Sequence, residues 1–358
     1  MRPHYPGSAK NISFKHKFIC LFRLSSCLLL GITLVFPLTL FGAEQSVPEI
    51  QESIPNQKTP DNFDSMDAPR NYVSGKITSF ISDIDRFFGG DRHYQESNPS
   101  VIQLNVTRGD GYGGDGKFDL AARLNLRLPV SEGRLRLLVE TDPEKNAAAM
   151  PTTIQTAAST PVKGNTVLSN KVVVPKSVAV AVRLVTAEEN VWHFSTDAGI
   201  KFPIPVQPFV RTRGSFSAPL GKWRLNTAES VYWFNNLGVG ETTQLDMERI
   251  LSSSLMFRAT SNATWLNAKH NFDLRQDLSV YHTLDDRTSL LYQASVIGVS
   301  NPKLQVADYV ALMSYRYRLH QEWLFFEVTP QLHFPIEKNY KFSPALSMRL
   351  EILFDDSR

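Results

Sequence analysis

From about residue 100 onward the chain repeats one pattern, an apolar residue at every second position. In 117–130, Phe118, Leu120, Ala122, Leu124, Leu126, Leu128 and Val130 alternate with Lys117, Asp119, Ala121, Arg123, Asn125 and Arg127. The rhythm returns in 192–202 (Trp192, Phe194, Ala198, Ile200, Phe202), in 323–334 (Leu324, Phe326, Val328, Leu332, Phe334) and at the close of the chain (Leu346, Met348, Leu350, Ile352, Phe354). Successive side chains of a strand point to opposite faces, so each segment has one apolar and one polar face. The segments run for about ten residues, the length a tilted strand needs to cross hydrocarbon. The pattern predicts about fourteen strands, at 101–108, 117–129, 134–141, 177–186, 191–202, 207–217, 222–235, 240–249, 254–265, 270–283, 288–298, 307–319, 322–334 and 343–354. An even number returns both ends to one side of the membrane. Twelve is the alternative, with the pairs around 203–206 and 250–253 each read as one long bent strand. Glu229, set among Trp223, Leu225, Val231 and Trp233, interrupts its strand's alternation, and a bulge is expected there.

Upstream the period changes. Val73, Ile77, Phe80, Ile81, Ile84, Phe87 and Phe88 recur at intervals that put them on one helical face, and Gly89-Gly90 supplies a C-terminal cap. Residues 44–74 are rich in Pro, Gln, Ser, Asn and Asp and carry too little apolar surface to offset the entropy of ordering. Residues 27–40 are an uncharged apolar run, preceded by Arg2, Lys10, Lys15, Lys17 and Arg23 and followed by Phe41-Gly42-Ala43. That order of basic, apolar and small residues is the signature of a secretory signal. The order expected is a signal peptide (1–43), a flexible periplasmic segment carrying the helix 73–88 (44–99), an outer-membrane barrel (100–354) and a polar tail (355–358).

Export changes how the charge is read. The chain has 38 basic and 35 acidic residues; without the five basic residues of the leader, 33 face 35. The remaining cations are interleaved with acids, which argues against a nucleic-acid surface. Both cysteines, Cys20 and Cys27, lie in the leader, so the exported part has neither a disulfide nor a thiolate metal site. A soluble β-sandwich also buries one face of each strand. Three features favour lipid. One is the export signal. Another is the recurrence of strand-end aromatics, among them Trp192, Phe202, Trp223, Trp233, Trp265, Tyr309, Tyr317, Trp323 and Phe354. The third is an alternation of short connections (129–133, 284–288, 320–322) with longer ones (109–116, 142–176, 235–240, 299–306, 335–342). The fold class expected is all-β, a transmembrane antiparallel up-and-down β-barrel with a short N-terminal periplasmic helix. Such a protein meets outer-membrane lipid and lipopolysaccharide, and barrel-assembly machinery and periplasmic chaperones during biogenesis. Phe354, in the final strand, matches the terminal aromatic of a barrel-assembly signal, although four polar residues follow it.

Several runs carry a resemblance. Phe87-Phe88-Gly89-Gly90-Asp91-Arg92, the stretch 235–246 (NNLGVGETTQLD), Trp323-Leu324-Phe325-Phe326-Glu327-Val328-Thr329-Pro330 and Arg349-Leu350-Glu351-Ile352-Leu353-Phe354 resemble an uncharacterised family of proteobacterial outer-membrane β-barrel proteins. The resemblance covers roughly 80–354 and implies a barrel and its location. It implies no activity, ligand or catalytic residue.

Chemistry is concentrated on the polar faces. Arg123, Arg127, Arg211, Arg213, Asp273, Arg275, Asp277, Arg316, Arg318, Glu327, Arg349 and Glu351 are the candidate lumen-lining charges, with Arg134, Arg136, Glu140, Arg183 and Lys201 on the same kind of face. Facing a lumen they form either the polar core of a narrow barrel or the wall of an arginine-biased pore that favours anionic or zwitterionic solutes. The glycine-rich run 109–116 lacks the oxygen-ligand spacing of a calcium loop and reads as a tight outer loop. The histidines are scattered, without HExxH or paired spacing, and no cofactor motif occurs. Ser279 with His282, or His193 with Ser195, are the only nominees for a membrane-embedded hydrolase, and there is no GxSxG. Two function classes remain: a channel or transporter for small polar or anionic solutes, and a structural or surface-interaction barrel with a filled, charged lumen.

Overall fold

A computed structural model describes residues 83–85, 87–88, 100–113, 116–128, 134–143, 172–173, 177–188, 191–202, 205–268, 270–300, 303–320 and 323–355. The leader 1–43, the segment 44–74, most of the helix 73–88 and most of the 142–176 connection lie outside the described residues.

Fourteen strands follow one another: β1 (Val101–Gly111), β2 (Lys117–Arg127), β3 (Leu135–Thr141), β4 (Val178–Glu188), β5 (Trp192–Lys201), β6 (Gln207–Leu220), β7 (Trp223–Phe234), β8 (Gly238–Ile250), β9 (Leu255–Leu266), β10 (Asn271–Thr283), β11 (Thr288–Val299), β12 (Gln305–His320), β13 (Leu324–Pro335) and β14 (Ser343–Asp355). Each pairs antiparallel with the next, and β1 pairs with β14 from Val101↔Asp355 to Gly111↔Ala345, so the sheet closes on itself. A two-residue segment, Val172–Val173, lies parallel beside β2. The segments that a twelve-strand reading would fuse are separate strands: Leu251 N–H donates to Leu255 O at 2.9 Å in a tight turn, and β5 ends at Lys201 before β6 begins at Gln207 and pairs back antiparallel with it.

The alternation sorts the side chains. On β9, Met256, Arg258, Thr260, Asn262, Thr264 and Leu266 are buried, while the residues between them are partly exposed. On β4, Val182 and Leu184 are exposed and Arg183 is buried. Val106, Leu120, Phe194, Ile200, Leu278, Tyr292, Met313 and Leu350 join them on an apolar outer surface, and Leu124 and Leu126 lie on that side of β2, opposite the buried Arg123 and Asn125. A closed ladder with an apolar exterior suits hydrocarbon, where no water can satisfy an open sheet edge.

Two details differ from the sequence reading. The register runs unbroken through Glu229, which pairs with Gly214 on one side and Thr243 on the other, so there is no bulge there. Glu229 simply stands on the outward face with Trp223, Leu225, Val231 and Trp233, one polar side chain in an apolar row. Register shifts occur instead between Val185 and Ala187, between Ile297 and Gly298, and between Arg318 and His320. The second difference is the connection after β7, which is only Asn235–Leu237 because β8 already starts at Gly238. Gly111, at φ 81°, begins the first turn; a side chain there would meet Pro344 O at 2.5 Å.

The outer-face assignment predicts a depth dependence. Val182→Arg, at mid-strand, should cost about 2–4 kcal/mol of folding stability in lipid vesicles, and Val178→Arg, at the strand end, about 0–1 kcal/mol. Equal costs in denaturant titrations would show that these positions do not face acyl chains.

Candidate functional site

Inside the barrel the charges fall into groups. On the wall formed by β2 to β6, the Asp197 carboxylate is shared by two arginines. Arg183 holds it in a fork (Nε to Oδ1 2.6 Å, Nη2 to Oδ2 2.9 Å), and Arg211 Nη2 donates to Asp197 Oδ2 at 2.7 Å and to Glu140 Oε1 at 3.1 Å. Arg123 lies opposite Glu140 across the β2–β3 pair, and Arg213 is half-buried on β6 opposite Ser195. A second group joins β12, β13 and β14. Arg316 Nη1 reaches Glu351 at 2.9 Å and Glu327 at 3.3 Å, and Arg349 Nη2 reaches Glu327 at 2.6 Å and Glu351 at 3.6 Å. Gln103 Nε2 from β1 donates to Glu351 at 3.2 Å. The third group is Arg275, whose Nε meets Asp277 at 2.7 Å and whose Nη2 donates to Ser295 at 3.3 Å. Asp273, on the same strand, accepts from Asn271 at 2.8 Å.

The expected lumen residues therefore do not form one ring. Arg316, Glu327, Arg349 and Glu351 are brought together. Arg211 joins a cluster with Arg183, Asp197 and Glu140. Arg127 stands exposed at the end of β2. Arg318 lies 5.6 Å from the Phe87 ring and 6.0 Å from the Phe325 ring.

The described residues of the expected 73–88 helix lie inside the barrel. Asp83, Ile84, Asp85 and Phe87 are helical, and Phe88 N–H donates to Ile84 O at 2.9 Å. Ile84 and Phe88 are buried in one cluster with Met256, Tyr281, Leu291, Val310 and Leu312. Phe88 packs edge-on to Tyr281 at 5.2 Å, and Phe87 to Phe325 at 5.6 Å. Asp85 Oδ1 sits 2.6 Å from Arg258 Nη2, which also meets Glu248 Oε1 at 2.8 Å. Arg316 stacks over Phe325 at 4.4 Å, and Arg349 donates to Phe88 O at 3.5 Å. Helix and wall thus share both an apolar and an ionic contact.

Sequence reasoning did not single out Asp85, Asp197, Arg258, Glu248 or Asp246. Arg258, Thr260, Asn262 and Thr264 alternate with apolar residues and were readable as a polar face. Asp85 carries a different signal, a carboxylate on the helix stripe defined by Ile84 and Phe88. The inward-facing Met256, Leu291, Phe325 and Leu353 were hidden, because an apolar residue at the inward parity looks like a slip in the pattern.

Charge is distributed unevenly between walls. Among the described buried residues, Arg123, Arg136, Arg183, Lys201 and Arg211 accompany Glu140, Asp142 and Asp197 on β2 to β6 and the adjoining loop. Asp246, Glu248 and Asp277 accompany Arg258 on β7 to β11, the half-buried Asp273 and Arg275 add one charge of each sign, and Asp85 adds to the acidic side. On β12 to β14 two arginines match two glutamates. Among the described buried residues the two signs are close to balance, with the cation excess on β2 to β6.

At the rim away from the chain ends, Tyr112 donates to Glu337 at 2.8 Å and lies beside the His333 ring, which meets Asp308 at 2.7 Å. Burial, and then the Glu337 carboxylate, push the Tyr112 hydroxyl above the usual tyrosine range. Of the hydrolase nominees, Ser279 is buried in the lumen and His282, three residues along the same strand, faces outward; that odd spacing cannot bring them together. His193 and Ser195 share the inward face. Among the described residues no group of three or more His, Cys, Asp or Glu is placed to hold a metal ion.

No family model matches the chain, and no curated protein matches it in sequence. Among solved structures, the chain is similar to OprB of Pseudomonas putida, at 12% identity and a TM-score of 0.44, covering 74% of this chain and 97% of that one. A loop-deletion mutant of OmpT, an outer membrane protein of Vibrio cholerae, is 11% identical with a TM-score of 0.43, covering 71% and 98%. The outer membrane channel DcaP of Acinetobacter baumannii is 9% identical with a TM-score of 0.39, covering 72% and 96%. At that level of likeness, function has to be argued from this chain's own residues.

The Asp197 carboxylate neutralises two buried arginines of its wall. Asp197→Ala should destabilise the barrel by about 3–5 kcal/mol, because Arg183 and Arg211 would be left buried without it. Urea unfolding in vesicles reads the difference, and a loss below about 1 kcal/mol would mean that water reaches both guanidinium groups.

Proposed function

We propose that this protein is an outer-membrane channel for small polar solutes that carry a negative group, closed from the periplasmic side by its own N-terminal helical turn. The observation that carries the reading is the separation of charge across the lumen, cations in excess on β2 to β6 and carboxylates in excess on β7 to β11. A transverse field of that kind orients a dipolar solute and gives an anionic group a lower-energy path along one wall. The plug is supported by the contacts of Ile84, Asp85 and Phe88 inside the barrel. A leader at 1–43 and a closed barrel together favour the outer membrane, with the chain ends on the periplasmic side and the 142–176 connection outside.

The second reading, a filled structural barrel, is favoured by the group around Arg316, where four charges and the rings of Phe87 and Phe325 leave the side chain fully buried. Conductance separates the two. In planar bilayers, deletion of 44–90 should raise single-channel conductance without unfolding the barrel, and Arg258→Gln should raise the open probability of the full chain by loosening Asp85. Reversal potentials in a salt gradient should show an anion preference that added salt screens. No conductance in any of these proteins would leave the filled barrel, and cation selectivity would reject the proposed path.

Orientation has its own check. Protease added to intact cells should cut within 142–176 and spare the 284–288 turn. The reverse pattern would invert the barrel.

A further inference from the structure

The outer face is not apolar all the way round. On β11 to β14 and β1 to β4 the outward positions near mid-strand are Ala294, Met313, Val328, Met348, Val106, Ala122, Leu137 and Val182. On β5 to β10 they include Thr196, Thr212 and Gly214, Glu229, Thr243, Ser261 and Gln276, with Leu245 and Leu278 as the apolar residues among them. The registers bring most of these side by side, with Leu245 opposite Ser261 and Ala263 opposite Thr243 between the two halves of the belt. Thr196 is opposite Thr212, Gly214 opposite Glu229, Glu229 opposite Thr243, and Ser261 opposite Gln276. Glu241 stands diagonally beside Glu229 on the same face, next to Val231.

The belt is chemically active within itself. The Thr196 and Thr212 hydroxyls are 3.3 Å apart, and Ser261 donates to Gln276. The Glu229 carboxyl lies within reach of Thr243 and Glu241, and its Oε1 has no hydrogen-bond partner. The outward arginine on these strands, Arg249, is at the far end of β8 and stacks over Trp223 at 5.4 Å. Two glutamates and a row of hydroxyl and amide groups at mid-height would be costly against acyl chains.

We propose that the outward face of β5 to β10 is a self-association surface, buried in the membrane against the same face of a second copy of this chain. Thr, Ser, Gln and a carboxyl group each donate as well as accept when protonated, so two identical faces can satisfy one another in a two-fold contact. A partner bearing cations at that depth would itself carry unmatched charge in hydrocarbon before docking; a second copy needs none. Gly214, Ala198, Ala259 and Ala263 lie in or beside the belt and allow two barrel walls to approach closely, as small residues do between membrane helices. Six strands about 4.8 Å apart, over an apolar band about 25 Å tall, offer on the order of 600 Å² per copy. That approaches the roughly 800 Å² per partner of a standard stable interface.

The test uses the full chain in its own membrane. A photo-activatable aromatic residue is placed singly at Thr212, Thr243 or Ser261, and as controls at Met313 and Leu350, both exposed on the apolar side. Irradiation should give a band of twice the chain mass from at least one belt position and from neither control. The detergent-extracted protein should have the mass of an oligomer. Glu229→Leu combined with Glu241→Leu should keep the heat-modifiable folded barrel and reduce the belt cross-link at least tenfold. Three results would each overturn the proposal: a monomeric extract without cross-links, cross-links from belt positions to a different protein, or a double variant that cross-links as strongly as the parent.

Discussion

Everything in this structure depends on the pairing of β1 with β14. In hydrocarbon an open sheet edge would leave a row of amide and carbonyl groups without partners, each costing several kcal/mol. The continuous register from Val101↔Asp355 to Gly111↔Ala345 removes that edge, and with it the last unpaired backbone of the sheet. Closure also creates the two environments that sort the side chains, an exterior met by lipid and an enclosed interior. No helix among the described residues is long and apolar enough to cross a membrane.

Once closed, the interior imposes its own condition. Charged side chains there are held away from bulk water, and each must find opposite charge or a dipole. The fork of Arg183 on Asp197 and the square of Arg316, Glu327, Arg349 and Glu351 meet that condition with partners from neighbouring strands, which ties the wall together laterally. The helical turn is subject to the same rule. Asp85 is tolerated in the lumen because Arg258 is there, and Ile84 and Phe88 are tolerated because the wall presents Met256, Tyr281 and Leu291 to them. The helical turn and the wall are therefore chemically matched, through both an ion pair and an apolar contact.

The exterior is subject to the opposite rule, and the belt from Thr196 to Gln276 departs from it. Glu229 shows how the same residue reads differently at two levels. Along the chain it is a fault in an alternating pattern; in the barrel it is one member of a row assembled from six strands, and its chemistry makes sense only when the strands are placed side by side.

What the sequence by itself determined is local and periodic. Alternation of apolar and polar residues locates all fourteen strands to within a few residues, because the two-residue period follows from backbone geometry alone. It also places Arg123, Arg211, Arg316, Glu327, Arg349 and Glu351 on polar faces. Tertiary structure decided which of these meet. Arg211 reaches Glu140, 71 positions away, across the inner face of the strands between them, and Gln103 reaches Glu351, 248 positions away, because β1 closes on β14. It decided that Asp85 would enter the lumen, since a helix stripe records only that one side is apolar and not what covers it. It also decided on which walls the charges stand, with cations in excess among the described buried residues of β2 to β6, because a count of charges along a chain carries no information about the strands that stand across from one another.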